Sequence, residues 1–289
     1  MNIKAGAWDD QRGSDAMELD YDAVRKRSLQ SAGLYLMVAF GMAWMLWLVA
    51  WLITQHKISL PIFPVLVVGS FGPLVGALVA TLADGGRRNA LRFFARVFDV
   101  RMGWTVFLVS FFLLPILAVI VELVHAKLIH GAPHFNMTLS EAPLSYLFLF
   151  IVGGTLAEEF GWSLLSDKLD RVFPLVPSTF VLGVIWALWH LPLFFIVTPG
   201  AIQGYTPFYI FLVATVAMRF LFSWAYHRGG GSILSNMLFH TASNMSYSIV
   251  ALAPSPEDMS TGRLWMFAVL NIFSAAALWS LASPRSSLR

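Results

Sequence analysis

Runs of about twenty apolar residues recur along this chain, and no other feature limits its fold as much. A helix rising 1.5 Å per residue needs about 20 residues to cross ~30 Å of hydrocarbon. Eight such runs fall at about 33–54, 60–83, 104–125, 144–165, 177–197, 207–226, 232–252 and 264–282. In lipid a backbone must satisfy its own polar groups, which segments of this length do as helices. The expected fold is therefore all-α, a polytopic transmembrane helical bundle of about eight spans. Pro61, Pro177, Pro207, Pro254 and Pro284 stand at or near run boundaries, where helices start and stop. Only 12% of residues are charged, about half the share of a soluble domain. Cysteine is absent, which excludes a disulfide framework and thiolate chemistry.

Charge placement gives the expected orientation. With the N-terminus inside, every Lys and Arg outside the runs falls on the inner side except Lys57, Lys127 and Arg263. The positive-inside rule then puts both termini in the cytoplasm, and the expected location is a bacterial inner (plasma) membrane, crossed many times. Residues 1–32 read as a polar cytoplasmic tail, disordered or a short surface helix, ending in Arg25-Lys26-Arg27. They lack the apolar core and small-residue cleavage site of a signal peptide. Residues 33–283 form the bundle and 284–289 a short cytoplasmic tail. Between Asp84 and Gly103, Arg87, Arg88, Arg92 and Arg96 alternate with Leu91, Phe93, Phe94, Val97 and Phe98. Such a basic amphipathic stretch suits an anionic leaflet, so the partners expected are membrane lipids and not nucleic acid.

Within the runs a few ionisable residues stand out, each costing about 2.5–3.5 kcal/mol on insertion scales for Asp, Lys or Arg. The fourth run holds Glu158 and Glu159 in Gly-Gly-Thr-Leu-Ala-Glu-Glu-Phe-Gly-Trp. Read as one helix from Leu144 to Leu165 running outside to inside, it puts Glu158 near the cytoplasmic end. Neighbours in a helix are about 100° apart, so one glutamate faces the bundle centre and the other braces a neighbouring helix. His190 ends Trp186-Ala-Leu-Trp-His and is followed by Pro192, which loosens the local backbone ladder. His240 and Asn244 lie one turn apart on a helix with a polar side.

Taken singly, the glutamates have interfacial hydration as their bland reading, a lone His such as His190 is more often a packing residue, and His240 with Asn244 is as well explained by interhelical hydrogen bonding. Together in three spans they point to one functional site. A carboxylate and a neutral imidazole can hold a water and take its proton, and a second His with an Asn amide can stabilise an oxyanion. That is equipment for hydrolysing an amide in a secluded cavity. A divalent metal such as Zn²⁺ stays open as a cofactor, with Glu158, His190 and His240 the candidate ligands.

These motifs resemble the CPBP family (CAAX-processing and bacteriocin-processing, also called Abi) of intramembrane proteases. That family shows Glu-Glu-x-x-x-Arg, then Phe-x-x-x-His, then His-x-x-x-Asn or Asp in separate spans. Glu158-Glu159, Trp186-x-x-x-His190 and His240-x-x-x-Asn244 follow that order, within a CPBP-like core of about 144–250. The resemblance implies an endopeptidase acting on a membrane-associated or lipid-anchored peptide or protein. Glu158 would be the base on water, His190 its helper, His240 and Asn244 the oxyanion site, and Glu159 the supporting carboxylate. Ser163 stands where the family has Arg, so Glu159 is expected either to protonate more readily or to have another cation such as Arg219 in the sixth run as its partner. The alternatives are a catalytically weakened relative that binds or scaffolds membrane proteins, and a proton-coupled transporter. The one-sided distribution of the polar groups argues against the repeat symmetry of many transporters.

Overall fold

The computed structural model describes residues 4–198 and 202–281, with side chains from Asp20 onward. The expected C-terminal tail at 284–289 lies outside the described residues. Ten α-helices and no strand occur among them. They are α1 (Lys4–Thr54), α2 (Ile62–Ser70), α3 (Gly72–Phe94), α4 (Trp104–Leu128), α5 (Ala142–Val152), α6 (Thr155–Leu169), α7 (Leu175–Trp189), α8 (Phe208–Arg228), α9 (Ile233–Ile249) and α10 (Gly262–Leu281). Six segments are long and apolar enough to cross a membrane, and the α5–α6 pair, bent by 57°, makes a seventh if counted as one span. At 17 residues, α9 is shorter than these.

Two expectations change. The polar stretch before residue 33 is not separated from the first span, because α1 runs unbroken from Lys4 to Thr54. No proline interrupts it, and Ala, Glu, Arg, Lys and Met are good helix formers. The fourth run is not one helix. It stops at Val152 and restarts at Thr155, with Gly154 at φ +90°. That left-handed conformation suits glycine, and a Cβ there would lie 2.9 Å from Glu158 Oε1. The Gly-Gly pair thus turns the chain and clears space beside the carboxylate.

Small residues let the helices approach closely, as membrane bundles favour. A Cβ on Gly72 would sit 2.4 Å from the Ala39 carbonyl, so α1 and α3 cross nearly backbone to backbone. Ala39, Ala43, Ala77 and Ala80 are fully buried along that contact. Helix α9 is deeply enclosed, packed by α4, α5, α6 and α8. Its polar residues Ser235, Asn236, Thr241 and Ser246 have no exposure at all.

The end of the bundle carrying most of the Arg and Lys is tied by a dense polar network. Arg96 pairs with Asp167 at 2.5 Å, donates twice to the Gly231 carbonyl and hydrogen-bonds the Tyr226 hydroxyl. Tyr226 in turn donates to Asp167 at 2.7 Å. Lys168 and Ser31 both reach Asp84, while Ser178 and His227 reach Asp170. Glu122, Asp258 and Arg263 form a smaller cluster at the opposite end.

Candidate active site

Four of the five predicted residues, Glu158, His190, His240 and Asn244, line one cavity of about 590 Å³. Glu159 lies behind it, fully buried. Glu158 stands in the first turn of α6, directly after the helix break. It is therefore not near the far end of a continuous helix, because the break resets where the helix begins. Its Oε2 accepts from the indoles of Trp162 at 3.1 Å and Trp186 at 3.0 Å. Two donors on one oxygen fix the carboxylate and leave Oε1 facing Gly154 and the cavity. Trp162 is one helical turn on from Glu158, so their meeting follows from spacing.

The neighbouring glutamate turns the other way, as expected. Glu159 Oε1 accepts from His240 Nδ1 at 2.8 Å, and Oε2 lies 3.7 Å from Arg219 Nη1. Arg219 is wholly buried on α8. It occupies the role of cation to Glu159, and position 163 does not: Ser163 Oγ instead accepts from Asn236 Nδ2 at 3.1 Å.

Both imidazoles are oriented by their Nδ1 atoms. His190 caps α7 and donates Nδ1–H to the Trp186 carbonyl at 2.9 Å, and the turn at Leu191–Phe195, which contains Pro192, follows at once. His240 donates Nδ1–H to Glu159. Each ring therefore has Nε2 for other partners, a lone pair when neutral and a donor when charged. Trp186 packs between them, its ring centre 6.1 Å from His190 and 5.7 Å from His240. Trp189 sits edge-on to His190 at 4.8 Å and against Trp47 at 4.6 Å, so α1 braces the wall.

Asn244 has a role the sequence did not disclose. Its Nδ2 donates to the Gly153 carbonyl at 2.7 Å. A helix end inside a membrane leaves carbonyls that need partners, and Asn244 supplies one at the break, retaining a second amide hydrogen. Thr155 and Thr241, with hydroxyls 3.2 Å apart, join the same two helices nearby. Sequence reasoning also passed over the Gly153–Gly154 turn and the two indole donors, although the Gly-Gly pair was a visible signal for the first. Among the described residues, no group of three or more His, Asp or Glu side chains converges closely enough to hold a metal ion.

A bundle of apolar helices enclosing a buried glutamate–histidine site defines an integral, multi-pass membrane protein. Residues 140–246 match the family model described as type II CAAX prenyl endopeptidase Rce1-like. The chain is also 25% identical over 127 residues to CAAX prenyl protease 2 of Methanococcus maripaludis. That alignment covers 42% of this chain and 46% of the relative, so the chain spans less than half the length of the curated protein it matches. Over the matched segment the chain is therefore similar to type II CAAX prenyl endopeptidases, in the same stretch that holds Glu158, His190, His240 and Asn244.

Proposed function

We propose that the protein is an intramembrane endopeptidase that hydrolyses a peptide bond of a membrane-associated or lipid-anchored substrate with a water activated at Glu158. The observation carrying this reading is the division of labour between adjacent glutamates. Glu158 is aimed into the cavity by two indoles, while Glu159 is turned away to hold His240.

In this mechanism Glu158 Oε1 takes one proton from water, and neutral His190 Nε2 accepts a hydrogen bond from the hydrogen that stays on the oxygen. The resulting hydroxide attacks the carbonyl carbon, and charge builds on the carbonyl oxygen. His240, charged and paired with Glu159, offers Nε2–H to that oxygen, with the second amide hydrogen of Asn244 beside it. Collapse breaks the C–N bond as Glu158 returns its proton to the leaving amine, and the carboxylic acid so formed gives up its own proton to that amine, leaving a carboxylate and an ammonium. Glu159 is a positioning residue, and Arg219 is its counter-charge.

The scaffold alternative drew its support from Ser163, and the proximity of Arg219 to Glu159 weakens it, because the charge missing at 163 has a substitute. Cleavage of a library of membrane-anchored quenched peptides in liposomes tests the reading. Glu158→Gln should lower turnover by about 10²–10⁴-fold, the usual share of a general base, with the fold retained. Equal turnover by Glu158→Gln and wild type would refute it. Inclusion of a chelator in the same assay decides the metal question.

A further inference from the structure

The two ends of the bundle give very different access to the site. On the basic end, a cavity of about 450 Å³ is lined by Arg27, Arg92, Arg96, Lys168 and Arg171. It shares no lining residue with the cavity that holds Glu158. Along α6, buried Phe160 and Trp162 separate Glu158 of the one cavity from Leu164 of the other, and the Arg96–Asp167–Tyr226 network ties the helices at the basic end.

The site cavity reaches toward the other end. Its outer wall comes from Ile62 and Phe63 at the start of α2, and from Thr198 and Gln203 in the connection between α7 and α8. Chain order puts these segments opposite the basic end, since α1 and α7 both run away from it. Phe63 is 66% exposed, while Glu158 and His240, deeper in, are 5% exposed. The lining mixes polar groups with apolar ones such as Leu66, Val67 and Leu193, which suits a peptide with hydrophobic side chains.

We infer that the site is served from the face opposite the basic one, which the positive-inside rule makes the extracytoplasmic face. The substrate class is then a membrane-inserted or exported polypeptide whose scissile bond lies toward that face, and not a chain end presented from the cytoplasm. This rests on the reading of the Glu158 cavity as a peptide-binding site.

The natural absence of cysteine makes the test clean. Single variants Gln203→Cys and Ser70→Cys, with Arg171→Cys for the basic end, are placed in right-side-out and inverted membrane vesicles. Each is treated with a membrane-impermeant thiol reagent. Gln203→Cys and Ser70→Cys should label fully in right-side-out vesicles, and Arg171→Cys only in inverted ones. Ser70→Cys is nearly isosteric, so the test survives if Gln203→Cys folds poorly. Labelling of either cavity variant from the same side as Arg171→Cys would overturn the inference. The reagent reports access and not turnover, so this inference and the protease reading can fail independently.

Discussion

Two charge clusters in this molecule use the same kinds of residue and differ in how completely they are satisfied. At the basic end Arg96 spends its donors on Asp167, Tyr226 and Gly231, and Asp167 accepts from both Arg96 and Tyr226. In the site, Arg219 lies 3.7 Å from Glu159 and makes no hydrogen bond to another described residue. The first cluster is partly open to solvent, with side chains of Arg96 and Asp167 each 28% exposed, whereas Arg219 and Glu159 have no exposure. A saturated network locks helices together. A sparse buried pair contributes little binding of its own, and its consequence is to place a guanidinium beside the carboxylate that orients His240. The contrast separates architecture from chemistry.

The sharpest way to break that contrast is to remove the sparse pair's cation. Arg219→Leu removes the guanidinium from beside buried Glu159, leaving His240 as its remaining partner, and should cost about 3–5 kcal/mol, read as a loss of stability in detergent unfolding. Adding Glu159→Gln should recover much of it, because the buried carboxylate that Arg219 faced is then replaced by a neutral amide that can still accept from His240. Ser163→Arg alone should also destabilise, since two guanidinium groups would crowd one carboxylate. Ser163→Arg combined with Arg219→Leu moves the cation to the position one turn beyond Glu159 and should restore both stability and cleavage. Failure of this swap, with each single variant tolerated, would show that Arg219 is not the substitute for the family arginine.

A milder loss is expected at the other cluster. Arg96→Ala removes several hydrogen bonds to charged or buried partners, but solvent reaches the site and softens the effect. A loss of about 1–3 kcal/mol is expected, with turnover per folded molecule unchanged. A fall in turnover without a fall in stability would erase the distinction between the two clusters.

How much of this was legible beforehand depended on the range of each interaction. Every predicted apolar run coincides with a helix or a helix pair, because hydrophobicity over twenty residues is a local property. Divergence of Glu158 and Glu159 was legible too, since it follows from helical pitch. The break at Gly153–Gly154 was not, because two glycines change the average of an apolar window very little. Without the break, Glu158 was assigned to the wrong part of its helix. Arg219 was visible as a candidate from its burial cost, but its pairing joins α6 to α8 and is set by tertiary packing alone. The use of Asn244 at Gly153 depended on the unseen break, so its motif was legible and its hydrogen bond was not.

The smallest effect separates two groups within the site itself. Glu158 Oε2 has two indole donors, one from its own helix and one from α7. Trp186→Phe removes the second donor but keeps an aromatic ring between His190 and His240, which is the residue the family resemblance has there. If the indole hydrogen bond steadies the carboxylate, its loss should cost about 1.5 kcal/mol, or about tenfold in turnover, with unfolding nearly unchanged. Trp162→Phe should cost more, because Trp162 is fully buried and also packs edge-on against Trp189 and Tyr35. Its loss would thus appear in stability as well as in rate. If Trp186→Phe left turnover intact while Trp162→Phe abolished it, one indole would suffice. The α7 wall would then contribute to Glu158 only through shape, and the orientation of the carboxylate would be a property of α6 alone.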